Sequence, residues 1–235
     1  MAVKQMPVAI LADANILIKD VVSASFFDLN KLKLISLHWT PEIEAEYIEH
    51  RARIRAEKNN RATQVDDLAW ASARIETNKK YLVPNSLPEG WLVEETLETM
   101  RSNPKYAALC ELPDPDDIHV AMAAVFIAEA SDATAVLATH DLTDFPQKIL
   151  EPFNVVVLHS GIVLEMLYLC FPTKVQQSLL QTCTELKNPK FTTDMFLNSI
   201  AGKNQFDNPS LAATLKDAWS QADTYSEQAD PQLQI

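Results

Sequence analysis

Residues 112–145, LPDPDDIHVAMAAVFIAEASDATAVLATHDLTDF, constrain the chain more than any other stretch. Two acid clusters bracket an apolar helix and a short apolar strand. Asp114, Asp116 and Asp117 come first, spaced by Pro113 and Pro115. Val120, Ala121, Ala123, Ala124, Val125, Ile127 and Ala128 then recur at helical spacing. Asp116 is placed to cap this helix, and Asp117 to sit in its first turn, where the helix dipole favours negative charge. TAVLAT follows, an apolar run of strand length that ends in His140, Asp141, Leu142, Thr143 and Asp144. A buried strand that ends in carboxylates is costly unless a cation meets them. Taken singly, each cluster also fits an ordinary helix start or turn. Two further acids elsewhere in the chain give the pair a chemical reading.

Taken in order, the chain alternates strands and helices. PVAILA (7–12) reads as a buried strand ending at Asp13, and ILIKDVVSASFFDL after Asn15 as a helical segment. LKLISLHW (32–39) reads as a second strand. Thr40 and Pro41 supply an N-cap and a first-turn proline, so a helix starts there. That helix carries Glu42, Glu46 and Glu49 and runs into Arg51, Arg53, Arg55, Lys58 and Arg61, the one dense basic run. Amphipathic helices are expected at about 62–80 and 91–101, and a last strand, FNVVVL, at 153–158. The alternation predicts an α/β fold with a parallel sheet flanked by helices. From Ser160 the pattern is wholly helical, divided by Pro172, Asn188–Pro189 and Asn208–Pro209. The expected organisation is a sheet domain over 1–159, a helical C-terminal appendage over 160–226 and a disordered tail over 227–235.

Composition narrows the function. The 235 residues can bury a sizeable core, and no apolar run reaches membrane-spanning length. The N-terminus lacks a signal-peptide pattern. Cys110, Cys170 and Cys183 show no metal or redox spacing and are expected as buried thiols in a reducing cytoplasm. A formal charge of −12 excludes non-specific nucleic-acid binding by the whole surface, so any such contact must be local.

In open parallel sheets ligands bind beyond the carboxyl ends of the strands. Asp13 and Asp141 end strands, Asp117 opens a helix, and Glu46 lies in the second turn of the helix after the second strand. Four carboxylates from four elements can converge there. Like charges at contact distance destabilise one another unless a cation neutralises them. Oxygen-only ligands select a hard ion, Mg²⁺ or Mn²⁺. Such ions suit attack of water on a phosphodiester.

On LADANILI around Asp13, TPEIEAEYI around Glu46, PDPDDIHVAMAA around Asp117 and LATHDLTDFP around Asp141 and Asp144, the chain resembles the PIN-domain nucleases. Within them it resembles the VapC-like ribonuclease toxins of bacterial toxin–antitoxin modules. The resemblance spans residues 7 to about 158 and implies a PIN-like sheet and a metal-dependent endoribonuclease of the cytoplasm. It implies Asp13, Glu46 and Asp117 as catalytic metal ligands, with a fourth acid after the TAVLAT strand. That acid is Asp141 or Asp144; nearness to the strand end favours Asp141. Thr139 resembles the family's small hydroxyl residue within the acid cluster, and Asn15 the polar residue that orients the first aspartate. The partners implied are an RNA substrate, a cognate antitoxin and a second copy in a homodimer.

Several residues have plainer readings. Glu42 and Glu49 are expected to be solvated or to stand behind the ligands, and Asp114 and Asp116 to serve turns and caps. His119 and His140 flank ligands but fit hydrogen-bonded structural roles. Arg53 lies about 10 Å beyond Glu46 on the same helical stripe, so it and Arg55 are candidate RNA-phosphate contacts against the alternative of a solvated face. Trp39, Trp70, Trp91 and Trp219 are expected in core or interface. Phe26, Phe27, Leu29 and Leu32 are expected either as core or as a homodimer or antitoxin surface. Three alternatives compete with the toxin reading. A receiver or haloacid-phosphatase domain lacks its second acid, since Asn15 stands where the phosphatase needs Asp. The others are a non-toxin RNA-processing nuclease and a catalytically weak PIN-like binding module.

Overall fold

The computed structural model describes residues 7–79, 98, 101–187 and 190–228. Four strands, β1 (Val8–Ala12), β2 (Ile35–His38), β3 (Ala135–Ala138) and β4 (Val155–Leu158), form one all-parallel sheet in the order β2-β1-β3-β4. Each is a short apolar run, and β3 is buried along its whole length, as a central parallel strand must be. The ladder continues one residue past the strands, because Asp13 N–H donates to the Ala138 carbonyl and Thr139 N–H to that of Leu158. These bonds fix the backbone of both residues at the carboxyl edge.

The expected single helix after Asn15 is two helices. A one-turn α1 (Ala14–Leu17) gives way to α2 (Asp20–Lys31) through Lys19, which is extended. Strand β2 is shorter than expected at its start. Leu32 and Lys33 finish α2 instead, with Lys33 at φ 57° and Leu34 N–H bonded back to the Leu29 carbonyl. Helix α3 (Pro41–Lys58) begins where Thr40 and Pro41 place it, with Thr40 Oγ1 accepting from Ile43 N–H at 3.2 Å. Helix α4 (Val65–Lys79) packs back along α3. The helix expected at 91–101, with Trp91, lies almost wholly outside the described residues.

Two 3-10 turns (Pro104–Glu111 and Pro115–Asp117) lead into α5 (Ile118–Ser131), whose residues from Val120 to Val125 are fully buried. It packs on β1 and β3. Asp114, not Asp116, caps the approach: its side chain accepts from Asp116 N–H, so that cap serves the 3-10 turn, while Asp117 is the N-cap position of α5 and makes no side-chain cap bond. A short α6 (Gln147–Leu150) precedes β4. The C-terminal part is helical as expected, with α7 (Ser160–Cys170), α8 (Pro172–Glu185), α9 (Thr193–Ala201) and α10 (Pro209–Gln228). Its helices share the core with the sheet region, for Phe206 is fully buried 6.3 Å from Phe26, and α8 packs on α2. The tail expected to be disordered falls outside the described residues from position 229.

Phe26, Phe27 and Leu29 are core, while Leu32 is exposed. Of the cysteines expected to be buried, only Cys183 is; Cys110 and Cys170 are exposed, because they sit on the outer sides of a 3-10 turn and the end of α7.

Candidate active site

The sheet order makes a switch point between β1 and β3, since β2 and β4 lie on opposite sides of that pair. Crevices open at such points in parallel sheets. β1 delivers Asp13 there, only 7% exposed. β3 delivers Thr139, fully buried, then His140 and Asp141.

A compact polar lattice holds Asp13. Thr139 Oγ1 donates to Asp13 Oδ2 at 2.8 Å, and Asn15 Nδ2 reaches the same oxygen at 2.6 Å. Asn15 Nδ2 also contacts Thr139 Oγ1 at 3.0 Å, and its Oδ1 accepts from His140 N–H at 3.1 Å. Thr139 Oγ1 in turn accepts from Asp141 N–H at 3.0 Å. Thr139 and Asn15 thus both bond the same Asp13 oxygen and fix its carboxylate. Burial raises the Asp13 carboxyl to about 6, with the Glu46 charge adding to it, against the lowering effect of Thr139 and nearby amides.

Glu46 and Asp117 join this edge from two helices. Glu46 Oε1 accepts from His119 Nε2 at 2.7 Å, tying α3 to the first turn of α5. Asp117 is half-buried. Its burial, then the charges of Asp13, Asp114, Asp144 and Glu46, push it up to about 7. Asp141 and Asp144 behave differently. Asp141 is exposed and turned to Thr143, whose hydroxyl donates at 2.7 Å and holds its carboxyl below the ordinary value. Asp144 is half-buried and raised by burial and by the charges of Asp141 and Asp114. Asp144 is therefore the acid after β3 whose charge is felt at Asp117. Asp141, nearer the strand end, is instead engaged by Thr143 and exposed.

The donor set is all carboxylate oxygen. Among the described residues no Lys or Arg forms an ion pair with Asp13, Asp117 or Asp144, so the charge there is uncompensated. A hard divalent ion fits that chemistry. The acids are grouped rather than clamped: among the described residues no three His, Cys, Asp or Glu stand close enough to hold a metal ion as they are.

The outlying acids divide. Glu49 is exposed, whereas Glu42 buries one carboxylate oxygen with no hydrogen-bond partner among the described residues. The basic run divides too. The Arg53 side chain is 58% exposed, near His50 and Glu57. Arg55 instead lies 4.9 Å over the Trp70 ring with its Nε 3.4 Å from Asp67, so it helps join α3 to α4. Trp39 packs edge-on against Phe27, and Trp219 is buried against Phe196.

One group escaped sequence reasoning. Lys19 Nζ donates to His140 Nδ1 at 3.2 Å, His140 Nε2 meets Ser160 Oγ at 3.1 Å, and His159 stacks edge-on at 4.3 Å. Burial, then the Lys19 and His159 charges, lower His140 to about 3 and keep it neutral. The group joins the end of β3, the α1–α2 junction and the start of α7, so no spacing in the chain could announce it. The chain matches no family model, no curated protein and no solved structure.

Proposed function

We propose that the chain is a PIN-like, Mg²⁺- or Mn²⁺-dependent endoribonuclease and the toxin of a toxin–antitoxin pair. The observation that carries this reading is the gathering of Asp13, Glu46, Asp117 and Asp144 at the β1/β3 switch point, where Asp13 and Asp117 are both raised and no Lys or Arg among the described residues compensates them. Those four carboxylates would hold the ion, with Asp141 at the margin. When bound, the ion supplies an activated water and neutralises charge on the phosphodiester. The chain's own part is to hold the acids. Thr139 and Asn15 orient Asp13, and His119 anchors Glu46. Arg53, exposed beyond Glu46 on the same stripe of α3, is open to an RNA phosphate near the acids. No helix among the described residues is long and apolar enough to cross a membrane. The cytoplasm, where RNA and an antitoxin would be met, belongs to the proposal.

The test is cleavage of single-stranded RNA by the purified protein. Activity with Mg²⁺ or Mn²⁺, silence in EDTA and loss on Asp117→Asn are expected. Undiminished cleavage by Asp117→Asn removes the site assignment. The toxin role is tested by expression in the native host without the neighbouring gene. Growth arrest by the wild type but not by Asp13→Asn is expected, and harmless wild-type protein leaves a housekeeping nuclease. One observation favours a second reading, a catalytically silent PIN-like binding module: no three acids close on an ion-sized point among the described residues. Metal titration followed by Tm separates the two, because a silent module gains no stability from Mg²⁺ or Mn²⁺.

A further inference from the structure

Between α3 and α4, against the α1–α2 junction, lies a cavity of about 390 Å³ away from the acid cluster. Arg51, Arg55, Lys58 and Arg74 line it together with Trp70, and Asp20 is its one lining carboxylate. Three guanidinium groups lie over the same indole, with Arg51 at 5.8 Å, Arg55 at 4.9 Å and Arg74 at 5.3 Å from the ring centroid. Asp20 Oδ1 serves both Arg51 and Arg74, at 2.5 and 3.0 Å. Asp67, the next acid, takes the fork of Arg61 at 2.5 and 2.7 Å and also faces Arg55 Nε at 3.4 Å. Lys58 forms no ion pair among the described residues. Arg51 is only 8% exposed, and its Nε is buried with no hydrogen-bond partner.

Against the four lining cations and Arg61, only Asp20 and Asp67 stand as ion-pair partners among the described residues, an anomaly in a chain with a net charge of −12. Packing two helices needs no such excess, and like charges crowded round one ring repel. An indole already faced by three guanidiniums offers little surface for a base to stack on. The excess suits a compact anion of two or more charges, and guanidinium forks match phosphate oxygens. The volume lies within the usual range for small-ligand sites.

We propose that this cradle binds a terminal phosphate group, a pyrophosphate-like anion or the phosphorylated 5′ end of an RNA. Arg74, Arg55 and Lys58 contact the phosphate, and buried Arg51, fixed by the Ile18 carbonyl at 2.9 Å, positions them. The RNA source rests on the nuclease reading; the free-anion source does not. Arg55 lies nine residues beyond Glu46 on α3, about 14 Å along the axis. Nine residues also turn the helix through about two and a half revolutions, so an RNA end in the cradle must pass round α3 to reach the acids.

The experiment uses the full chain in EDTA, so that cleavage plays no part. Calorimetry with inorganic pyrophosphate measures the free anion. Fluorescence anisotropy compares an oligoribonucleotide bearing a 5′-phosphate with the same sequence bearing a 5′-hydroxyl. Arg74→Gln combined with Lys58→Gln changes only exposed side chains, and Asp117→Asn serves as the control. Pyrophosphate binding that weakens about tenfold or more in the double variant and is unchanged in Asp117→Asn is expected. A 5′-phosphate preference lost in the same variant assigns the RNA end. Equal binding of the two RNAs, with pyrophosphate binding still dependent on Arg74 and Lys58, assigns the free anion. No pyrophosphate binding, or binding indifferent to the double variant, overturns the site and leaves the arginines as a helix–helix staple. Metal-dependent cleavage is assayed separately, so a failed nuclease does not hide a working cradle.

Discussion

Asp117 stands at the first turn of α5, where the helix dipole favours a charged carboxylate by about 0.3–1 kcal/mol. Burial and four neighbouring acids oppose it and raise its carboxyl from 3.8 to about 7. At about 1.4 kcal/mol per pKa unit the opposition amounts to about 4 kcal/mol, so it wins. Asp117 is half open to water, and screening leaves about 1–2 kcal/mol as its effect on stability. The sign follows from proton binding: between pH 4 and 7 the folded protein holds a proton that the unfolded chain has released. Its stability therefore falls as pH rises through that window. Half-buried His140 has the opposite dependence below pH 6.5, so comparison with Asp117→Asn isolates the effect. In urea titrations without metal, Asp117→Asn should match the wild type near pH 4 and exceed it by about 1–2 kcal/mol above pH 7. Mg²⁺ should raise the wild-type Tm more than that of the variant. Equal stabilities at both pH values would show that the repulsion is not felt. Thr139 carries a different burden, because its buried hydroxyl donates to Asp13 and accepts from Asp141 N–H. Thr139→Val keeps the shape and should cost about 1–3 kcal/mol of unfolding free energy, by leaving those partners unmet.

Elements that begin on local chemistry were legible in the residues. Thr40 and Pro41 announce α3, and unbroken apolar runs announce β1, β3 and α5. Elements set by distant contacts were not. Nothing local separates α1 from α2, since no proline or glycine stands there and Lys19 is extended within reach of His140, 121 positions away. The four acids were legible because each sits beside a strand end or helix start. The choice between Asp141 and Asp144 was not, because it depends on Thr143 engaging Asp141 within the turn. The Trp70 cradle was half legible: Arg51, Arg55 and Lys58 belong to a visible run, but that Arg74 joins them around one ring depends on the docking of α4. Gly161 in the first turn of α7 shows how closely such docking is made. A Cβ placed there would lie 2.0 Å from the Phe206 carbonyl oxygen. The loop before α10 would have to retreat, taking Asn208, which bonds the Gly161 carbonyl at 3.0 Å and caps Leu211 N–H at 2.9 Å. Gly161→Ala should therefore lower stability by about 1–3 kcal/mol, read as a fall in the urea midpoint, although alanine is the better helix former.

Across the whole molecule the C-terminal helices act as part of the core rather than as a separable addition. Phe206 is buried near Phe26, and Val163, Leu164, Val175 and Leu179 are all buried. Asp28 is 4% exposed and meets its obligations partly from far along the chain: Thr182 Oγ1 donates at 2.6 Å, beside Lys31 at 2.6 Å. Removing α7 to α10 would uncover the far side of α2 and leave a buried carboxylate with one partner fewer, which costs about 1–3 kcal/mol before any apolar loss. Each large core side chain uncovered costs about 1.5–3 kcal/mol more. Phe26 and its neighbours alone would exhaust the 5–15 kcal/mol on which a domain stands. A chain ending at residue 159 should thus lose cooperative unfolding in urea and the near-ultraviolet dichroism of packed aromatics. On the proposed nuclease reading it should also lose RNA cleavage, because α2 follows the short helix whose N-cap is Asp13. Thr182→Val in the full chain, which removes the hydroxyl's bonds to Asp28 and to the Ser178 carbonyl, should keep a single sharp transition at a lower midpoint. A cooperative transition in the shortened chain at the full chain's midpoint would instead make residues 160–226 an appendage to a self-sufficient sheet domain.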